Sequence, residues 1–421
     1  MPELSAIILA AGDGTRMKSR HPKVLCKVAD KPMIEWVLDA CSVSGIGDRC
    51  VVLGAGADEV KAVLPPDVAT VLQTERKGTG HAVMQCTDFL EEHRGGTVAL
   101  LYGDVPLIDP DTLRSAYDVH LAAGAAVTVL TAHLSDPTGY GRIVRDETGA
   151  FLAIVEQIDA DEATLQIEEI NSGICLFEVD RLLEVLPEIT PANHKGEYYI
   201  TDAIGLLRAA GRSVQTYLAP IETTLGANDR AGLLRLSELM RDRILTRHMG
   251  NGVEIVSRDG VLIGPDVAIG PDTRILPGTI LRGKTIIGEG CVLGPNTLIE
   301  DSRIGDGCIV NATQIYQSTL EEGVKIGPFC HVRPNSLIRA GAKIGDFVEV
   351  KNSTIGEKTA VAHLTYVGDS DVGDRVNFGC GVVTVNYDGS AKYRTTIGND
   401  AFIGCNTNLI APVQVLSLIH I

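Results

Sequence analysis

Short apolar runs alternate with stretches of helical periodicity through the first half of the chain. Ala6–Ala10, Cys50–Leu53, Val98–Tyr102 and Ala126–Thr131 are β-branched or apolar runs bounded by turn residues, and they read as strands. Between them Met33–Cys41, Gly80–Phe89 and Pro110–His120 carry helical patterns. Strands alternating with helices predict a Rossmann-like α/β domain, a mostly parallel sheet with helices on both faces. Ligands on such sheets bind beyond the carboxyl ends of the strands.

The pattern changes twice more. Leu233, Leu236, Met240, Ile244 and Leu245 fall three and four residues apart with arginines between them, which predicts one long linking helix over 229–252. After Gly252 the period becomes six, through Ile263, Ile269, Ile275, Leu281, Ile287, Leu293 and Ile299. A second register runs through Ile326, Val332, Ile338, Ile344 and Val350. Neither a helix nor an alternating strand sustains that period. A three-sided parallel β-helix does, with one hexapeptide per face and an aliphatic side chain turned inward at each. The register slips near Ser302–Ile304 and around Glu357, where loops are expected, and the polar insertion NYDGSAKYRT should protrude. The expected organisation is 1–228, a linker over 229–252, and a hexapeptide-repeat β-helix over 253–421.

Composition narrows the function. The chain has 421 residues, and no apolar run reaches the roughly 20 residues that a membrane span needs. The N-terminus lacks the basic segment of a signal peptide. Ten cysteines without a CxxC pair read as reduced thiols rather than a disulfide framework or a zinc site, so a cytoplasmic protein is expected. A net charge of −17 argues against a nucleic-acid surface, while local cations can still serve small anionic substrates.

Leu9-Ala10-Ala11-Gly12-Asp13-Gly14-Thr15-Arg16-Met17 leaves the first strand as a small-residue turn whose N–H groups can cradle a polyphosphate. Arg16 and Lys23 add positive charge to the same mouth. A tight strand-to-helix connection is the plain alternative, and the spacing is not that of a P-loop. The turn resembles the LAAGxGTRM signature of sugar-nucleotide pyrophosphorylases. With Gln73, GTGHA at 78–82, YGD at 102–104, GYGR at 139–142, Glu156, NSG at 171–173 and EYYITD at 197–202, the chain resembles the uridyltransferase half of a bifunctional family. That family is the N-acetylglucosamine-1-phosphate uridyltransferase/glucosamine-1-phosphate acetyltransferase family, and the match spans nearly all of residues 5–228.

The resemblance implies that Leu9, Ala10, Ala11 and Gly12 hold the nucleotide with Lys23, Tyr102 and Gly103. Gln73, Gly78 and Thr79 form the base and ribose pocket, and Gln73's amide can pair with uracil. Gly141, Glu156, Asn171 and Thr201 hold the sugar. Asp104 and Asn228 bind Mg²⁺ through hard oxygen donors. The reaction it implies is in-line attack of a sugar-1-phosphate on the α-phosphorus of UTP, with Lys23 and Arg16 sharing the developing charge. Taken singly, Asp104 reads as a turn cap, Glu156 as a solvated carboxylate and Asn171 as a turn former.

In the second half, Arg333 and Lys351 lie one coil of three hexapeptides apart, so they should stack on one face with an anion between them. A purely structural solenoid does not require that. His363 follows, then Asn377 and Asn386 on the next turns. The segments HVRPNS, VEVKNS, HLTYVGD, NFGCG and NYDGxxKxxT resemble the acetyltransferase half of the same family. By resemblance Arg333, Lys351, Tyr366, Asn377 and Lys392 bind glucosamine-1-phosphate, with Asn386 beside them. His363 is the general base that takes the amine proton. Glu349, two residues before Lys351, is a helper whose face the sequence leaves open. Acetyl-CoA falls to the backbone around Cys380 and Cys405, with Asn386 and Tyr387 at its edge. Cysteine at 380 and 405 departs from the family's usual serine or alanine.

The implied overall activity is UDP-N-acetylglucosamine synthesis for peptidoglycan and lipopolysaccharide precursors, by a homotrimer that binds neither nucleic acid nor membrane. The apolar stretch Val415–Ile421 lacks the glycine of another coil and forms no polar cap. In the family further coils and a basic tail follow, so the sequence reads as a C-terminally truncated member. The competing readings are a monofunctional nucleotidyltransferase with a structural β-helix, and an assembly protein with degenerate sites.

Overall fold

The computed structural model describes residues 3–12, 14–192 and 196–421. Asp13 of the first loop therefore lies outside the described residues. The chain divides into two compact units, Met1–Met240 and Arg241–Ile421.

The first unit is built on a mixed sheet. Its strand order is Val214–Leu218, Val127–His133, Glu169–Glu178, Thr97–Tyr102, Leu4–Ala10, Arg49–Leu53, Ala69–Leu72, and Glu169–Glu178 runs antiparallel to both neighbours. Ile7, Leu9, Val52 and Leu100 face one buried layer, while Ile8, Ala10, Val51 and Leu101 face the other. Burial on both faces explains why the strands read as continuous apolar runs rather than alternating ones. Some helices start at side-chain caps: Asp109 accepts from the Thr112 N–H at 2.8 Å, with Pro110 in the first turn, and Asp161 accepts from the Thr164 N–H at 2.8 Å. The central strands Leu4–Ala10 and Thr97–Tyr102 are parallel and pair Leu9 with Tyr102, so Ala11 and Asp104 emerge at one edge of the sheet.

A helix spans Arg230–Gly250. Leu236 and Met240 are buried in the first unit, and Ile244, Leu245 and His248 in the second. The second unit is a left-handed parallel β-helix, with three stacks of nine short parallel strands. The predicted inward residues from Ile275 to Ile299 and from Ile326 to Val350 are buried, each contributing about 1.5–3 kcal/mol of apolar burial. Ile269, in the first coil, is only half-buried.

Two expectations are corrected. No loops emerge at the register slips: Ile287 pairs with Ile304 and Ile299 with Ile315, so coils shorten at their turns and the strands stay in register. The tail also stays on the solenoid. Val415 is buried, Phe402 N–H donates to the Ile419 carbonyl at 2.8 Å, and Leu418 takes a left-handed corner at φ 64°. Ladder hydrogen bonds belong to the backbone, so the coil continues without the glycine; Leu416, Leu418 and Ile421 are left exposed. The NYDG insertion does protrude, turned on Asp388, whose carboxylate accepts from the N–H groups of Ser390 and Ala391 at 2.8 Å.

A second inward ladder escapes the hexapeptide reading. Thr273, Thr279, Thr285, Cys291, Thr297, Ser302, Cys308 and Thr313 are all buried two residues before an inward aliphatic. Their hydroxyls tie coils together, as where Thr273 Oγ1 donates to Gly288 O at 2.9 Å and accepts from Cys291 N at 3.0 Å. Three of the cysteines, Cys291, Cys308 and Cys330, are small core residues of the solenoid.

Candidate active sites

A cavity of about 300 Å³ opens at the carboxyl edge of the first unit's sheet. Leu9, Ala10, Ala11, Gly12, Lys23, Gln73, Gly78, Thr79, Tyr102 and Asp104 line it, with Arg76, Glu197 and Tyr199 among the residues not foreseen. Gly14, at φ 56°, lets the loop lie on the stem of Lys23; a Cβ there would sit 2.6 Å from Lys23 Cβ. The Lys23 ammonium contacts Asp104 Oδ2 and donates to Asn228 Oδ1 at 3.0 Å. Those two oxygens therefore converge on one cation-sized place.

The Gln73 end of the cavity is equally ordered. Gly78 has φ 104°, and a Cβ there would collide with the Tyr198 carbonyl. Gln73 is buried, and its Nε2 donates to the Gly78 carbonyl at 3.1 Å. Asn171 N–H donates to Gly141 O at 2.9 Å, and Asn171 Oδ1 accepts from Gly173 N–H at 3.0 Å. A Cβ on Gly141 would lie 3.3 Å from Glu156 Oε1, and one on Gly173 would meet the Tyr102 ring. Burial pushes the Tyr102 hydroxyl above its ordinary value, with Cys175, Asp104 and Glu156 adding to the shift. Buried Arg142 holds the loop: it donates to Tyr140 O and, at 3.3 Å, to Gln157 Oε1, which also accepts from Gly139 N–H at 2.5 Å. Thr201 instead lines a separate cavity with Asp202, and Arg16 stands exposed on the turn Thr15–Met17.

In the second unit, Val332 pairs with Val350, which stacks Arg333 and Lys351 on successive coils. Arg333 donates to Glu349 Oε1 at 3.0 Å. Lys351 pairs with Asp369 at 3.3 Å, and Lys392, carried back by the protruding loop, is held below the usual lysine range by Lys351. An arginine and two lysines thus share one patch with two carboxylates. Tyr366 lies across Gly368, where a Cβ would strike its hydroxyl. Asn386 is buried against the same group, 3.5 Å from the Tyr366 hydroxyl and bonded to Asp369. His363 is exposed at the end of Ala360–His363, at the corner leading to Tyr366–Gly368. Cys380 and Cys405 follow at that corner on the next coils: Gly381 N–H approaches the His363 carbonyl at 3.5 Å, and Asn406 N–H donates to Cys380 O at 2.8 Å.

Residues 6–161 match the MobA-like NTP transferase domain, 266–301 the bacterial transferase hexapeptide (six repeats), and 292–385 the GlmU-like C-terminal hexapeptide. The bifunctional protein GlmU of Brevibacillus brevis is 49% identical over 416 residues, covering 99% of this chain and 90% of that protein. That of Thermoanaerobacter pseudethanolicus is 49% identical over 415 residues with the same coverage, and that of Halalkalibacterium halodurans 47% over 411 residues. The chain belongs to the bifunctional GlmU family.

Within this GlmU chain the structure gathers Leu9 to Gly12, Lys23, Gln73, Gly78, Thr79, Tyr102 and Asp104 around one cavity, while Gly103, Gly141, Glu156, Asn171 and Asn228 are not among its lining residues. It places Asn386 with the Lys351–Tyr366 group rather than with the exposed Tyr387. His363 and Asn377 stand on the neighbouring strand stack. In the second unit sequence reasoning gave no role to Asp369. Burial opposes its ionisation, yet donors on Asn352, Asn386 and Lys351 hold it below the usual carboxylate range. Its signal was present in the spacing, since Asp369 lies one coil beyond Lys351 and its N–H donates to the Lys351 carbonyl at 2.9 Å.

Proposed function

We propose that the chain makes UDP-N-acetylglucosamine from glucosamine-1-phosphate, with 1–228 as uridyltransferase, 229–252 as linker and 253–421 as acetyltransferase. The observation that carries the reading is that a member of the bifunctional family over 99% of its length has Lys23 and Arg76 on the cavity of its first unit and Arg333, Lys351 and Lys392 in one patch of its second.

In the acetyl transfer, Arg333, Lys351 and Lys392 hold the sugar phosphate, with Tyr366 and Asn386 beside it. His363 takes the amine proton as nitrogen adds to the thioester of acetyl-CoA, because an ammonium has no lone pair to attack with; the C–S bond then breaks and CoA leaves as its thiol, taking up that proton. Asn377 binds the glucosamine-1-phosphate with Arg333, Lys351 and Lys392, and acetyl-CoA falls to Cys380, Tyr387 and Cys405. In the uridylyl transfer, the resulting sugar-1-phosphate attacks the α-phosphorus of UTP and pyrophosphate leaves. Lys23 and Arg16 offset the charge on the phosphates, and positioning carries the rest.

The donor set suits Mg²⁺. Asp104 Oδ2 and Asn228 Oδ1 are hard oxygens that already share one cation, the Lys23 ammonium. Among the described residues no group of three His, Cys, Asp or Glu could hold a metal, so water and phosphate oxygens would complete an octahedron. The ion would supply charge neutralisation at the phosphates.

A homotrimer through the β-helix is supported by apolar side chains at the corner that carries His363. Phe329 and Phe347 are 62% and 58% exposed, stacked at 5.3 Å with φ 58° each, beside exposed Leu364. Bulky residues in the left-handed region and in water call for a covering partner. No helix among the described residues is long and apolar enough to cross a membrane.

The test assays the two half-reactions separately. Asp104→Ala should abolish divalent-dependent pyrophosphate release from UTP and spare acetyl transfer. His363→Ala should do the reverse. Loss of both activities in either folded variant contradicts two independent sites.

A further inference from the structure

Gln73 is the base-reading group of the proposed uridyltransferase site, and a side-chain amide reads a base only if its two ends cannot exchange. The Gly78 carbonyl fixes part of the choice, since an oxygen at 3.1 Å from it must be met by N–H. The second N–H of Gln73 Nε2 points at His81 Nδ1, also at 3.1 Å. His81 sits in the first turn of the helix Thr79–Met84 and does not line the cavity. Its other ring nitrogen is 3.4 Å from Gln85 Nε2, an amide that also donates to the His81 carbonyl at 3.1 Å. The shorter contact takes the ring's lone pair, so Nδ1 is the acceptor and the proton is on Nε2.

We infer that His81 is a positioning residue that sets nucleobase selectivity: by accepting from Gln73 Nε2, it leaves Gln73 Oε1 as the atom that meets the base. An acceptor there suits uracil, whose N3 carries a hydrogen, and opposes cytosine, whose N3 is itself an acceptor. Without His81 the Gly78 carbonyl alone restrains the amide, which can then turn and present N–H to the ligand. The inference rests on the uridyltransferase reading of this cavity.

The experiment measures kcat and KM for UTP and for CTP with N-acetylglucosamine-1-phosphate, on the full chain and on His81→Leu and His81→Asn, with circular dichroism as the check on folding. Asparagine can place Oδ1 where Nδ1 stood. His81→Leu should lower the UTP:CTP ratio of kcat/KM by about tenfold, mainly through KM for UTP, the scale of one lost discriminating hydrogen bond. His81→Asn should restore most of the ratio. An unchanged ratio in folded His81→Leu overturns the inference, and so does equal loss toward both nucleotides, which marks a structural role. If His81→Leu does not fold, His81→Asn decides: a ratio near wild type supports the assignment, and a collapsed ratio with kcat intact overturns it. Wild-type protein without a UTP preference would instead sink the uracil-pocket reading itself.

Discussion

Asp369→Asn is the substitution through which the second site is best examined. The carboxylate's side chain is 7% exposed and joins Lys351, Asn352 and Asn386, three donors with one acceptor group between them. Asparagine keeps the shape, removes the charge and turns a donor toward donors. Removing one partner of a buried ion pair costs about 3–5 kcal/mol, and water reaching Lys351, whose side chain is 18% exposed, returns part of that, leaving about 2–3 kcal/mol. In a unit of this size each kcal/mol moves the melting temperature by about 2–4 °C, so a fall of roughly 4–12 °C is expected. Calorimetry should assign the loss to the β-helix transition. Lys351 and Asn386 lose their anchor together, so KM for glucosamine-1-phosphate should rise about tenfold while uridylyl transfer is unchanged. A variant with wild-type melting and wild-type KM would refute the hub.

Gly78→Ala forces a Cβ into the Tyr198 carbonyl at φ 104°, so KM for UTP should rise at least tenfold, read by initial rates against nucleotide concentration. Phe329→Asp with Phe347→Asp should convert a trimer to monomer in analytical ultracentrifugation, and a monomeric wild type would remove the reason for these exposed rings. Burial pushes the His120 and His248 rings down to about 4, with Arg247 adding to the latter, so both are neutral in the folded chain and titrate near ~6.5 when unfolded. Their contribution is complete above ~6.5 and is lost as pH falls from there toward 4, because the unfolded chain then binds more protons. Melting temperature should decline across that window, and His120→Asn should flatten the slope for the first unit.

The sequence by itself determined what depends on local period and small-residue turns. Alternating apolar runs specify a sheet buried on both faces, since each strand must be apolar all round. A sustained period of six specifies coils, because only stacking buries one aliphatic per hexapeptide. The small-residue turn Leu9–Gly12, with Lys23, Gln73 and Asp104, was legible as a set. So was the stacking of Arg333 on Lys351, from spacing alone. Tertiary structure decided whatever depends on which backbone groups meet. It showed the second inward ladder of Thr, Ser and Cys, whose period matches the aliphatics but whose hydrogen bonds run between coils. It shortened coils where loops were expected, kept the apolar tail on the ladder, and sent Thr201 to a different cavity. It made Asp369 the counter-ion of Lys351, a role no composition reveals, because a carboxylate becomes a hub only when burial and three converging donors act on it at once.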